Sequence, residues 1–302
     1  MDYPRDLIGY GNNPPHPKWP NQARVALSFV LNYEEGGERC ILHGDKESEA
    51  FLSEIPAAVP FPNERHISME SIYEYGSRAG VWRVLKLFEK HNIPLTIFAV
   101  AMAAERHPDV IKAMHEAGHE ICSHGYRWID YAKFDKAQER EHLDKAIEIL
   151  TKITGERPLG WYTGRNGVHT RDVVMEEGGF LYDSDAYDDD LPYWVNNQGK
   201  GHLVIPYTLD SNDMRFATVQ GFNAGEQFFQ YLKDSFDVLY EEGQESPKML
   251  SIGLHCRLIG RPGRLAALKR FIEYTQQFEN VWYARRIDIA KHWHTTHPFQ
   301  AG

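Results

Sequence analysis

Four residues whose side chains can move protons stand where predicted strands end. Glu34 and Glu35 come shortly after the buried-strand pattern of residues 23–31. His124 and His255 each stand at the end of a later apolar run. Carboxylates activate water, and imidazoles, which titrate near neutral pH, deliver protons and support a developing oxyanion. These four residues are therefore the candidate catalytic residues of a hydrolytic site.

A second group of polar and aromatic residues follows strands in the same way and could line a small pocket. The candidates for substrate binding are Asn32, Trp128, Tyr162, Gly164, Arg165, Asp183 and Asp185. Aromatic rings offer flat walls to a planar ligand. The guanidinium of Arg165 is a planar fork of donors suited to carbonyl oxygens. The group predicts a binding site for a small, flat, polar molecule.

Short apolar runs alternate with amphipathic helical patterns along most of the chain. Such alternation is typical of a parallel sheet with helices outside it. Because the chain of 302 residues shows no break in composition, one barrel is favoured over two domains. We predict an α/β fold, a single TIM-like but distorted (β/α) barrel of about seven strands. The chemistry of such barrels sits at the carboxyl ends of the strands, where the candidate residues fall.

The remaining segments are assigned by composition. Residues 1–22 are rich in Pro, Gly and Asn and predict an N-terminal arm. Residues 23–298 form the predicted barrel, and the acidic, Pro-containing stretch at about 36–67 reads as a long insertion. Residues 299–302 are a short tail.

The charge and the cysteines limit the environment and the partners. A formal net charge of -10 argues against nucleic acid and anionic membranes as partners. No run approaches the roughly 18 apolar residues of a membrane span, and the first residues lack the pattern of a secretory signal. The three cysteines form no CxxC pair, which is typical of reduced thiols. We expect a cytoplasmic protein.

The residues at the predicted strand ends, taken in sequence order, resemble the five motifs of the polysaccharide-deacetylase (NodB-homology) family. The resemblance covers roughly residues 20–290. Members of that family carry an acidic pair, a His-x-x-x-His pair, an Arg-x-Pro-like loop, an Asp-centred motif and a Leu-His. The counterparts here are residues 32–35 (NYEE), 123–128 (SHGYRW), 161–165 (WYTGR), 183–185 (DSD) and 254–255 (LH). Two departures stand out: Trp128 replaces the second metal-binding histidine, and residues 161–165 lack the Arg-x-Pro.

With these departures the chain resembles the cofactor-independent allantoinases of purine breakdown within the same superfamily. The resemblance implies a homotetramer that hydrolyses the cyclic amide of allantoin, a small cyclic ureide, to give allantoate. It also implies that no cofactor and no metal is required. A catalytic zinc site takes about three protein ligands plus water, and Trp128 removes one of them.

Several alternatives stay open from the sequence. Either Glu34 or Glu35 can be the base, and in one register Asn32 occupies the family's base position as a neutral hydrogen-bonding group. The rival functions are a metal-dependent deacetylase of N-acetylated sugars or peptidoglycan and an amidohydrolase acting on another cyclic imide. A non-catalytic carbohydrate-binding barrel is disfavoured because the acid–base residues are all present.

Overall fold

A computed structural model describes residue 3, residues 5–197 and residues 199–300, and its centre is one curved sheet. The strands are β1 (Val25–Tyr33), β2 (Thr96–Ala99), β3 (Glu120–Ser123), β4 (Gly160–Trp161), β5 (Tyr182–Asp183), β6 (Tyr193–Asn197), β7 (Lys200–Val204), β8 (Lys248–His255) and β9 (Val281–Tyr283). The helices are α1 (Ile67–Tyr75), α2 (Val81–His91), α3 (Ala101–Arg106), α4 (Pro108–Glu116), α5 (Lys136–Thr154), α6 (Thr170–Glu177), α7 (Gly225–Glu242), α8 (Cys256–Ile259), α9 (Pro262–Thr275) and α10 (Arg286–Thr296). Among the described residues, no helix is long and apolar enough to cross a membrane.

Strand β1 pairs with three other strands, and all nine of its residues are buried. The sheet runs in the order β6-β7-β5-β4-β3-β2-β1-β8, with β9 also paired to β1. On one side β1 pairs with β8 along its length. On the other side its first residues pair with β9 and its last residues with β2. A strand covered on both faces requires a nearly continuous apolar run, which the segment VALSFVL provides with Ser28 as the exception.

The predicted α/β fold with a single distorted (β/α) barrel is confirmed, with a difference in the number of strands. We expect about seven strands from the sequence, whereas the described residues contain nine. One strand that the sequence does not predict is β6, which pairs antiparallel with β7. Its sequence, YWVNN, is half-exposed and lacks the apolar run of a buried strand. In the described chain an isolated parallel bridge from Asn212 to Gly253 joins the segment after β7 to β8.

The predicted insertion after β1 folds over the carboxyl end of the barrel. It contains a short 3-10 turn at Ile41–His43 and an isolated bridge from Glu47 to Pro62, and α1 begins directly beyond it at Ile67. A salt bridge between Arg127 and Asp45 ties it to the loop that follows β3. We call residues 38–62 the cap, because this segment contributes the outer wall of the cavity described below.

Helix α8, which follows β8 at once, is held by a close approach of two glycines. A Cβ at Gly80 would collide with the carbonyl of Cys256, and a Cβ at Gly260 would collide with the Gly80 backbone. The π-helical turn Gly76–Gly80 therefore packs directly on α8. This contact fixes the position of Arg257, the second residue of α8, beneath the cavity.

Candidate active site

A cavity of about 640 Å³ lies between the carboxyl ends of the strands and the cap. Eight of the eleven predicted site residues line it, namely Asn32, Glu34, His124, Trp128, Tyr162, Gly164, Arg165 and His255. They come from the ends of β1, β3, β4 and β8 and the loops that follow, as expected when parallel strands deliver side chains to one edge. The volume is in the range that holds a small organic ligand.

Glu34 is the charged centre of this cavity and is almost completely buried. Its Oε1 lies 3.4 Å from Nε2 of His124 and 3.5 Å from Nε2 of His255. Its Oε2 accepts a hydrogen bond of 2.7 Å from Nη1 of Arg257. Burial alone would raise the pKa of Glu34, but the positive charge of Arg257 and the two imidazoles outweigh it and hold the pKa far below its usual range. Glu34 is therefore a carboxylate throughout the neutral range.

Asp213 orients His255. Its Oδ1 lies 2.7 Å from Nδ1 of His255, and its Oδ2 accepts hydrogen bonds from the backbone N–H groups of His255 and Ile259. The Asp213 side chain is fully buried. A carboxylate that accepts a hydrogen bond from Nδ1–H leaves Nε2 as the nitrogen facing Glu34 and the cavity, the arrangement by which a carboxylate fixes the tautomer of a catalytic histidine.

His124 is held mainly by aromatic contacts. Its ring lies 4.9 Å from that of Tyr162 and 5.9 Å from that of Phe98. Within the part of the chain that the structure describes, neither ring nitrogen has a hydrogen-bond partner of good geometry, although Nε2 is close to Glu34. A buried imidazole with spare hydrogen-bonding capacity beside a carboxylate is suited to a ligand or a water molecule.

Glu35, the second residue of the acidic pair, does not line the cavity. Its Oε2 accepts a hydrogen bond of 3.0 Å from the backbone N–H of Glu34, and its Oε1 lies against Gly76, where any Cβ would collide with it. Burial raises the pKa of Glu35 to about 7, with the charge of Arg257 opposing and that of Glu34 adding to the shift. Of the two predicted bases, Glu34 is the one that reaches the cavity.

The cap side of the cavity is formed by an indole and an ion pair. Trp128 is buried, and the guanidinium carbon of Arg165 lies 4.0 Å from the centre of its rings. Nη1 of Arg165 lies 3.3 Å from Oε2 of Glu49, a buried carboxylate of the cap. The ring of Tyr162 stacks on Phe98 at 4.5 Å. The flat aromatic side chains of Trp128 and Tyr162 thus lie beside the hydrogen-bonding groups of Arg165 and Glu49 in the cavity lining.

Two of the predicted substrate-binding residues, Asp183 and Asp185, lie outside the cavity lining. Asp183 pairs with Arg171 and His202. Asp185 accepts the backbone N–H groups of Thr163 and Gly164, and Gly164 has a positive φ of 74°. These bonds fix the loop after β4. The two carboxylates therefore support the loops around the site without lining the cavity, because they point toward those loops and not toward the opening.

Asn32 lines the cavity but is tied to the barrel. Its Nδ2 donates to the hydroxyl of Tyr207 and to the carbonyl of Leu254, each at 3.0 Å. The donors of its amide are thus engaged by the protein. Asn32 and Glu34 occupy alternate positions at the end of β1 and both line the cavity, whereas Tyr33 between them and Glu35 after them do not.

Three residues of the site have no counterpart among the predicted ones: Arg257, Asp213 and Glu49. Arg257 stands two residues after His255. Its position directly after a buried apolar strand, in the run His-Cys-Arg, is the sequence pattern that could have identified it. Asp213 belongs to a short 3-10 turn after β7, and its meeting with His255 depends on the pairing of Asn212 with Gly253. Glu49 lies inside the insertion, where no periodic pattern marks it.

The donor set does not suit a metal ion. Among the described residues, no three His, Cys, Asp or Glu side chains are arranged to hold one. The carboxylate of Glu34 is bonded to Arg257, and the position of the family's second histidine ligand is the indole of Trp128, which packs on Arg165. A catalytic zinc requires about three ligands with free lone pairs at about 2 Å, which this arrangement does not offer.

A distorted parallel barrel with a carboxylate and two histidines at the strand ends defines a hydrolase of the polysaccharide-deacetylase type. The family Polysaccharide deacetylase matches residues 63–181. A relative from Schizosaccharomyces pombe (strain 972) named "Putative polysaccharide deacetylase" is 45% identical over 317 residues, covering 98% of this chain and 99% of the relative. The chain belongs to the polysaccharide deacetylase family, and the resemblance inferred from its motifs is confirmed.

Two solved structures are much more similar. The "probable Polysaccharide deacetylase from Pseudomonas aeruginosa PAO1" is 75% identical, with a TM-score of 0.97, over 99% of this chain and 100% of that one. The structure of a PuuE allantoinase is also 75% identical, with a TM-score of 0.98 and the same coverage.

Proposed function

We propose that this chain hydrolyses allantoin to allantoate, and that it does so without a metal ion. The observation that carries the proposal is the 75% identity to PuuE allantoinase over 99% of the chain. The site adds a physical basis, because it offers a fixed carboxylate and two imidazoles but no set of metal ligands among the described residues.

The reaction adds the oxygen of water to a carbonyl carbon of the hydantoin ring, breaks the ring C–N bond and leaves a carboxylate and an N–H. Since the pKa of Glu34 is held so low, Glu34 keeps its charge and anchors the water, and the water proton passes to His255. Asp213 stabilises the imidazolium that forms. His124, on the other side of Glu34, donates to the oxyanion or to the leaving nitrogen.

The substrate ring lies between the walls of Trp128 and Tyr162. Both rings line the cavity, and each is held by its own contacts, Trp128 to Arg165 and Tyr162 to Phe98. A rigid slot of this kind holds a planar ring with its carbonyl over the catalytic groups, which converts binding into positioning.

The experiment is hydrolysis of allantoin by the purified protein before and after treatment with a chelator. We expect allantoate to form at the same rate in both samples. Activity that is lost on chelation and restored by zinc would contradict the metal-free mechanism, and no allantoate from either sample would contradict the proposed function.

Deacetylation of an N-acetylated sugar is the second candidate function. The family match and the name of the Schizosaccharomyces pombe relative favour it. Release of acetate from N-acetylglucosamine oligomers or peptidoglycan, in parallel assays with the same protein, separates the two candidates. We expect no acetate.

We also propose a homotetramer, which the resemblance to allantoinases implies, and a cytoplasmic location, which the cysteine pattern favours. Light scattering on the eluting peak of a size-exclusion column measures the mass directly. Four times the chain mass of 34.9 kDa is the expected value.

A further inference from the structure

The cap brings a buried carboxylate to the outer end of the cavity, away from the catalytic histidines. Glu49 is 4% exposed and lines the cavity. Its Oε1 accepts the backbone N–H groups of Ala50 and Phe51, at 3.0 and 2.9 Å, so the direction of the side chain is fixed. The bridge between Glu47 and Pro62 closes the base of this loop. A carboxylate buried in this way requires a partner on its other oxygen.

The partner is Arg165, which approaches from the loop after β4. Nη1 of Arg165 lies 3.3 Å from Oε2 of Glu49, a long and therefore weak hydrogen bond. Within the described residues, the Arg165 side chain makes this one hydrogen bond, although a guanidinium carries five donors. The side chain is 17% exposed and lines the cavity. Arg165 and Glu49 thus present both spare donors and an acceptor to the same space.

Aromatic faces hold the guanidinium in place. Arg165 lies over the ring of Trp128 at 4.0 Å and over that of Phe51 at 4.8 Å. Trp128 also contacts Arg257, the partner of Glu34. One indole therefore contacts both Arg165 and the arginine that pairs with Glu34. Because Glu34, Glu49 and Arg165 line the same cavity, one small molecule can reach the catalytic carboxylate and the Glu49–Arg165 pair.

This arrangement matches the chemistry of a ureido group. A ureido group is planar and presents a carbonyl acceptor next to N–H donors. A guanidinium beside a carboxylate presents the complementary set, donors next to an acceptor. We propose that Glu49 and Arg165 form the subsite for the open-chain ureido arm of the substrate, so that the cap selects ureido-substituted rings over the bare hydantoin ring. The inference rests on the proposed function and names the residues that set its substrate class.

The test compares a substrate that has the arm with a ligand that lacks it. Wild type, Glu49→Gln and Arg165→Lys are assayed with allantoin, and hydantoin is measured as a competitive inhibitor. Glu47→Gln is the matched control, because Glu47 is a half-exposed carboxylate of the same cap that pairs with Arg39. Thermal unfolding of each variant reports whether the cap region still folds.

We expect kcat/KM for allantoin to fall about 10- to 100-fold in Glu49→Gln and Arg165→Lys, mainly through KM. The inhibition constant of hydantoin should change less than about twofold, and Glu47→Gln should behave as wild type. Unchanged kinetics for allantoin, or equal weakening of allantoin and hydantoin, would overturn the inference while leaving allantoin hydrolysis intact. Failure of the wild type to hydrolyse allantoin would instead overturn the proposed function. If hydantoin does not inhibit the wild type, the ureido arm is required for binding. The inference then stands if KM for allantoin rises in Glu49→Gln and Arg165→Lys, and it is overturned if KM does not rise.

Discussion

Two arginines are fully buried in this barrel, and their surroundings differ. Arg286, at the start of α10, donates to the hydroxyls of Ser184 and Ser251, each at 2.9 Å, and to the carbonyl of Pro206 at 2.7 Å. All these partners are neutral, and burial lowers the pKa of Arg286. Arg257 instead bonds the carboxylate of Glu34, and its Nη2 has no partner within the described chain.

The buried carboxylates beside these arginines differ in the same way. Glu120 accepts from the hydroxyls of Thr96 and Tyr182, both at 2.7 Å, and burial raises its pKa. Glu34 stands between two imidazoles and Arg257, and its pKa is held low. A structural charge is surrounded by fixed neutral partners, whereas a charge at the site keeps ionisable partners and an open side. The next three experiments test this contrast.

The largest effect is expected from exchanging the two carboxylates for amides. Glu34→Gln should lower kcat/KM for allantoin by about 10³-fold or more, because the charge that anchors water and stabilises the imidazolium is lost. Glu120→Gln should leave kcat/KM within about threefold and lower the free energy of unfolding by about 1–3 kcal/mol. Steady-state kinetics and urea denaturation measure both. Equal loss of activity in the two variants would remove the contrast.

Exchange of the arginines should separate a change in the pH profile from a change in stability. Arg257 is the strongest of the groups that oppose the effect of burial on Glu34, so without it the pKa of Glu34 rises. In Arg257→Met the carboxylate is therefore protonated at a higher pH, and the acid limb of kcat/KM should move upward.

Arg286→Met should leave the shape of the profile unchanged and lower the free energy of unfolding by about 3–5 kcal/mol, since several buried oxygens lose their donor. An acid limb that does not move in Arg257→Met would show that Arg257 does not control the charge of Glu34.

The smallest effect is expected at Glu35, which is buried like Glu120 but adjacent to Glu34. Because its pKa is raised from 4.5 to about 7, the protonated form stabilises the fold below pH 4.5, and this contribution is lost as the pH rises through 7. Glu35→Gln carries a permanent neutral side chain. Its free energy of unfolding relative to wild type should therefore increase between pH 4.5 and 8, with kcat changed only slightly. A difference that stays constant with pH would contradict the assignment.

Local patterns in the sequence identify most of the site. Strand-end positions place Glu34, His124 and His255 at one edge because parallel strands share a direction, and all three line the cavity. The resemblance to the family rests on the same residues. The position of Glu49 could not be predicted, because the insertion lacks the periodicity that assigns residues to one face.

The choice between similar residues required the tertiary structure. Glu34 and Glu35 are neighbours in sequence, but their side chains leave the end of β1 in different directions, and only that of Glu34 lines the cavity. Asp183 ends β5 and Asp213 belongs to a turn beyond β7, but only Asp213 meets His255, because its segment lies against β8.

The sequence alone therefore determined most of the order of strands and helices, the family and the edge of the barrel at which chemistry occurs, since these depend on residues close together in the chain. Only the tertiary structure decided which charges are paired. Arg257 and Glu34 are 223 residues apart, and their separation in space is set by the register of β1 against β8 and by the packing of α8.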